Sequence, residues 1–171
     1  KVRSGKYDAV VQTHQGDMAA LDFPAGSFDV IWSEGAAYIM GFTNALEKWR
    51  PLLRPAGSMV ISEIVWFEKE PPREVSEYWA NEVPDMKYFE DNFPVIARAG
   101  YSVVGYFPLP SESWWSDYYH PLEKKLAEMR TTYRDDTEAQ GLLDSFQTEM
   151  EMHRKYSPYF GYGFYVMRRN D

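Results

Sequence analysis

The histidine in the run SWWSDYYHP, His120, stands beside Asp117 among aromatic side chains. A neutral imidazole in that setting is suited to take a proton from a hydroxyl or amine nucleophile. Its rival reading is a histidine packed at the start of a helix opened by Pro121. Glu34 and Tyr38 follow a short apolar strand, FDVIW over 28–32, and open α/β sheets take their ligands at the carboxyl ends of strands. A carboxylate satisfied at the surface and a packed tyrosine are the alternatives. Trp66, Phe67, Trp114, Trp115 and Tyr119 supply enough aromatic surface for a lid over a flat or cationic ligand, or for a core or dimer contact. His14 and His153 have no matching partners, and three scattered histidines without a cysteine make no metal site. The GxSxG elbow of a hydrolase does not occur.

The elements that must position these residues alternate. Val10 to His14 (VVQTH) reads as a short strand, Phe28 to Trp32 as a second, and Ser58 to Ile64 as a buried third. Apolar side chains at Ala45, Leu46, Trp49, Leu52 and Leu53 recur at helical spacing between Thr43 and Leu53, with Pro51 set to end that helix and Pro55, Ala56 and Gly57 to form a turn. The opening KVRSGKYD reads as a helix running into a strand through Gly5. Residues 65–94 are richer in Pro, Glu and Trp and read as an insertion or cap, with a short helix from Arg73 to Glu82 opened by Pro71 and Pro72. A helix from Lys87 to Ala99 ending at Gly100, and a strand from Tyr101 to Phe107, follow. Residues 111–157 are helical, with long stretches about Pro121 to Tyr133 and Thr137 to Lys155, and Gly161 to Met167 is a last strand. Strands alternating with helices point to an α/β fold in one domain over 1–171.

Composition bounds the partners. The 171 residues carry a net charge of −8, a mean field that repels phosphate backbones and anionic headgroups and argues against nucleic acid or a membrane surface. No apolar run approaches the roughly 20 residues that span a bilayer, and the absence of cysteine fits a reducing cytosol. Aromatics reach 17%, more than a core of this size needs, so part of them is expected to line a pocket or an interface, such as that of a homodimer, the alternative being extra core and ordinary surface tyrosines.

The segment GDMAALDFPAGSFDVIWSEGAAYIMGF, followed by LLRPAGSMVISE, resembles class I S-adenosylmethionine-dependent methyltransferases of the small-molecule type. The resemblance covers about Val10 to Glu63 and implies a Rossmann-like three-layer fold with an antiparallel last strand in a mixed sheet. It places Asp17 at the adenine of S-adenosylmethionine with Met18 against the ring, and Ser33, Glu34 and Gly35 at the methionine end. A turn cap is the other reading of Asp17. The implied substrate is a small molecule, with His120 and Tyr38 as candidate catalytic groups and Trp66, Trp115 and Tyr119 around the acceptor. The family's glycine-rich loop and its ribose-binding acidic residue do not occur in these residues. The fold is therefore expected to be incomplete, its first two strands and N-terminal third absent. That part is expected to be cleaved yet retained, supplied by a second copy, or replaced by a rearranged sheet. The chain by itself is expected not to bind S-adenosylmethionine usefully, and a non-catalytic binding or dimerisation module is the competing function.

Overall fold

The computed structural model describes residues 11–171. Its centre is a four-stranded sheet in the order β1-β2-β4-β3, with β1 at Phe28–Glu34, β2 at Leu53–Trp66, β3 at Tyr101–Pro108 and β4 at Phe160–Arg169. β1 runs parallel to β2, with Trp32 opposite Val60 and Glu34 opposite Ser62. β4 lies between β2 and β3 and is antiparallel to both. This is the mixed sheet with an antiparallel last strand that the sequence implies.

The parallel pair is joined by α1 (Phe42–Trp49), which buries Ala45, Leu46 and Trp49. Pro51 lacks the N–H needed to continue the helix, and the chain tightens into a 3₁₀ turn over Arg50–Leu52. Directly after Pro71 and Pro72 comes α2 (Arg73–Glu82), which buries Val75 and Trp79 one turn apart. α3 (Asn92–Arg98) buries Val95 and Ile96. A short α4 (Ser111–Trp114) passes through one π-helical turn over Trp115–Tyr119 into α5 (His120–Thr132). α6 (Thr137–Tyr156) is capped by the Asp136 carboxylate, which accepts from the Ala139 N–H at 3.0 Å.

Two cores lie on opposite faces of the sheet. Met59, Ile61, Tyr165 and Met167 point to one face and pack with α1 and α3. Ile64, Trp66 and Phe160, offset by an odd number of residues from that set, meet side chains of α2, α4, α5 and α6 on the other. Helices thus cover both faces, giving three layers.

Three expectations change. Val11 to His14 belong to no strand, and Gly5 and Val10 lie outside the described residues. A strand needs a neighbour for its backbone groups, and among the described residues none lies beside that segment. β2 begins at Leu53 rather than Ser58, absorbing Pro55, Ala56 and Gly57 as an irregularity in its pairing with β1 between Phe28 and Val30. The helix expected from Lys87 starts only with a 3₁₀ turn at Phe89, because the Lys87 carbonyl accepts from the Trp66 N–H and ties the chain to the end of β2.

Candidate active site

β2 carries Glu63 between Ser62 and Ile64, near its carboxyl end. Its neighbour β1 ends at Glu34, and the chain turns at Gly35 with φ +52°. There the Gly35 N–H donates to the Ser62 hydroxyl at 3.0 Å. A 3₁₀ turn over Ala37–Ile39 then holds Tyr38 over the strand ends, exposed to solvent.

A cleft in two lobes opens at this place. The outer lobe, about 510 Å³, runs from Tyr38 and Asn44 past Glu63 to Asp85, Lys87 and Asn92. The inner lobe, about 200 Å³, reaches from Gly35 and Glu63 to Trp79, Trp114, Glu149 and Tyr162. Tyr38, Glu63, Ile64, Glu82 and Val83 line both. The cleft therefore joins the end of the parallel pair to α2 and α6.

Glu63 is 8% exposed, and its Oε1 is buried without a hydrogen-bond partner. Burial pushes its pKa up to about 7 against a weaker downward pull from the Tyr38 backbone N–H. Glu149 is also raised by burial, while the Tyr119 hydroxyl donates to its Oε1 at 2.9 Å. Tyr162 is pushed up to about 12, first by burial and then by Glu149. A carboxylate near neutral pKa beside an open cleft can exchange a proton with a ligand at physiological pH.

Of the residues singled out in sequence, Gly35, Tyr38 and Trp114 come together here. Ser33 is half-buried and faces the same side of the sheet as Ile61. Glu34 is exposed and accepts from its neighbour Trp32 Nε1. Asp17 caps its own turn, accepting from the Ala19 N–H at 2.8 Å. The Met18 carbonyl accepts from Trp49 Nε1 at 2.9 Å, which ties that turn to α1. Neither Asp17, Met18, Ser33 nor Glu34 lines either lobe.

His120 is exposed at the start of α5, its ring 5.7 Å from Trp115, and lines neither lobe. Tyr119 is fully buried beneath Glu149, and Trp115 lies under the Arg154 guanidinium at 4.6 Å. Trp66 packs edge-on to Phe160 and borders a separate hollow against α2. The sequence reading passed over Glu63, Glu82 and Glu149. Only Glu63 carried a signal, as the single charge in the apolar run SMVISEIVW. Among the described residues no group of three or more His, Asp or Glu is placed to hold a metal, and no helix is long and apolar enough to cross a membrane.

Residues 1–61 match the family described as a methyltransferase domain. Solved structures of similar fold include an S-adenosylmethionine-dependent methyltransferase from Thiobacillus denitrificans in complex with S-adenosyl-L-homocysteine, with TM-score 0.73, 18% identity and 92% of this chain covered. A second, from Geobacter sulfurreducens and with the same ligand, has TM-score 0.69, 22% identity and 85% coverage. A third is a geranyl diphosphate C-methyltransferase from Streptomyces coelicolor, with TM-score 0.59, 16% identity and 96% coverage. The chain spans 64%, 59% and 54% of the lengths of these three proteins. None of the curated proteins compared with it matches. The fold is that of the class I S-adenosylmethionine-dependent methyltransferases.

Proposed function

We propose that the protein, in its complete form, transfers a methyl group from S-adenosylmethionine to a small-molecule acceptor, with the chemistry at the carboxyl ends of β1 and β2. The observation that carries this reading is the cleft built by Gly35, Tyr38 and Glu63 at the end of the parallel pair. That is where α/β sheets bind their ligands, and it stands in a chain whose first 61 residues match a methyltransferase domain.

The side chains present fit parts of the cofactor. Asp17 uses Oδ1 on its own turn, which leaves Oδ2 as an acceptor for an adenine amino group. Met18 offers a polarisable thioether, and Gly35 brings bare backbone to the strand end. When bound, the sulfonium supplies an activated methyl group. The chain's part is then to align the acceptor and exclude water, which accounts for much of the rate in such transfers. Glu63, rather than the exposed His120, is the group positioned in the cleft to hold a proton.

The test is transfer of radiolabelled methyl from S-adenosylmethionine to a panel of small amines, acids and phenols by the full-length protein, beside calorimetry with S-adenosyl-L-homocysteine. Labelled product and saturable binding support the reading. Failure to bind S-adenosyl-L-homocysteine at millimolar concentration sinks it.

One observation favours a second reading, a non-catalytic pairing module. Val30 and Trp32 on β1 are 52% and 61% exposed, and β1 has no second neighbour among the described residues. An apolar edge strand of that kind is a ready partner for another strand.

A further inference from the structure

The inner lobe collects acidic side chains from three elements distant in sequence: Glu63 from β2, Glu82 from α2 and Glu149 from α6. No Lys or Arg stands among its lining residues. The ion pairs of α2 and α6 are made elsewhere. Arg73 pairs with Glu77, Lys155 with Glu74 and Arg154 with Glu123, and no ion pair among the described residues uses any of the three lobe carboxylates. Lys87 lines the outer lobe but not the inner one.

The field in the lobe is consequently negative. Tyr78 is held well above the ordinary tyrosine range by burial and then by Glu149 and Glu82. Tyr162 is raised in turn by burial, Glu149, Tyr38 and Glu63. Glu63 itself lines the lobe while more than nine-tenths buried, and its Oε1 has no hydrogen-bond partner. A buried carboxylate without a partner is costly, and a cation seated beside it removes that cost.

The walls decide which cation. Tyr38, Tyr78, Trp79, Trp114 and Tyr162 enclose the carboxylates, and aromatic faces attract soft, alkylated ammonium groups through the ring quadrupole. A metal ion would need convergent oxygen ligands, and no such group is placed among the described residues. A space of about 200 Å³ suits a compact head group rather than a polymer.

We propose that the inner lobe binds an alkylammonium group carried by the methyl acceptor, held between Glu63, Glu82 and Glu149 and the surrounding aromatic rings. The substrate class is thus a small primary, secondary or tertiary amine, bound as its ammonium form, whose nitrogen gives its proton to a lobe carboxylate and then takes the methyl on its freed lone pair, an assignment that rests on the methyltransferase reading above.

The experiment titrates the full-length protein with tetramethylammonium chloride, with matched sodium chloride and with tert-butanol as a neutral molecule of similar size. The readout is the pair of indole N–H resonances of Trp79 and Trp114. Saturable shifts are expected with the tetramethylammonium cation alone, weakened at least tenfold in Glu82→Gln and in Glu149→Gln. Equal response to tert-butanol or sodium chloride overturns the proposal, as does affinity for the cation that both variants retain. S-adenosyl-L-homocysteine is titrated into the same samples. Its binding without that of the cation sinks the amine assignment and leaves the methyltransferase reading standing. Cation binding without it supports the lobe as a cation site and removes the methyl-transfer reading.

Discussion

A side-chain carbon placed on Gly35 would begin 2.7 Å from the hydroxyl oxygen of Tyr162. The end of β1 and the start of β4 are held at that separation only because residue 35 has no side chain. Its φ of +52° adds a second demand for glycine. Gly35→Ala is therefore expected to lose about 2 kcal/mol, the order of cost for a non-glycine residue in the left-handed region, with more from the contact. Urea unfolding checks this. Adding Tyr162→Phe should return the steric part and leave the backbone part, so a double variant no more stable than Gly35→Ala would show that the oxygen is not what Cβ meets.

Glu63 gives the chain a pH dependence of definite sign. Its folded-state pKa near 7 lies above the ordinary value of 4.5, so between those values the folded chain binds a proton that the unfolded chain does not. Stability contributed by this group rises as pH falls from 7 to 4.5 and is lost above 7. Glu63→Gln removes the charge and keeps the shape. The variant should exceed the parent by about 2 to 3 kcal/mol at pH 8 and match it near pH 4. Urea midpoints at the two pH values decide it, and an equal difference at both would contradict burial as the cause.

His153 works in the opposite direction. It is 1% exposed, stacked on Trp114 at 4.6 Å, and its Nδ1 has no partner. Burial lowers its pKa to about 4 from 6.5. The unfolded chain takes up a proton first as pH falls, so stability is lost from 6.5 down to 4. His153→Phe should abolish about 3 kcal/mol of that loss. In the parent the slopes of Glu63 and His153 oppose each other between pH 4.5 and 6.5. Each single variant is expected to show a steeper net slope there than the parent, measured as unfolding free energy against pH.

These groups also mark where sequence reading stops. Pro71 and Pro72 fixed the start of α2 at Arg73, and Pro51 ended α1, because proline acts through its own backbone. The order of β1, α1 and β2 followed from apolar spacing and a quoted family pattern. VVQTH satisfied the same local criteria as FDVIW, yet among the described residues Val11 to His14 have no strand beside them while FDVIW pairs with β2. His120 drew attention through its sequence neighbours, of which Trp114 lines the inner lobe while His120 itself stands exposed outside it. Glu82 and Glu149 are brought to Glu63 by the packing of α2 and α6 over the sheet, and nothing local to either residue announces it.

The last relationship concerns the outer lobe. The hydroxyl of fully buried Tyr165 donates to the Phe89 carbonyl at 2.8 Å and accepts from Asn92 Nδ2 at 3.0 Å. Asn92 is 3% exposed and lines the lobe. Tyr165→Phe leaves an amide and a carbonyl unpaired in the interior, a loss of about 1 to 3 kcal/mol. Replacing both ends of the Asn92 bond with apolar groups removes one of those orphans, so Tyr165→Phe with Asn92→Leu should cost less than the two single changes added together. Thermal unfolding of the four proteins in the cycle measures the coupling. Strict additivity would mean that the hydroxyl and the amide do not depend on each other, and that Asn92 is held in the lobe wall by packing alone.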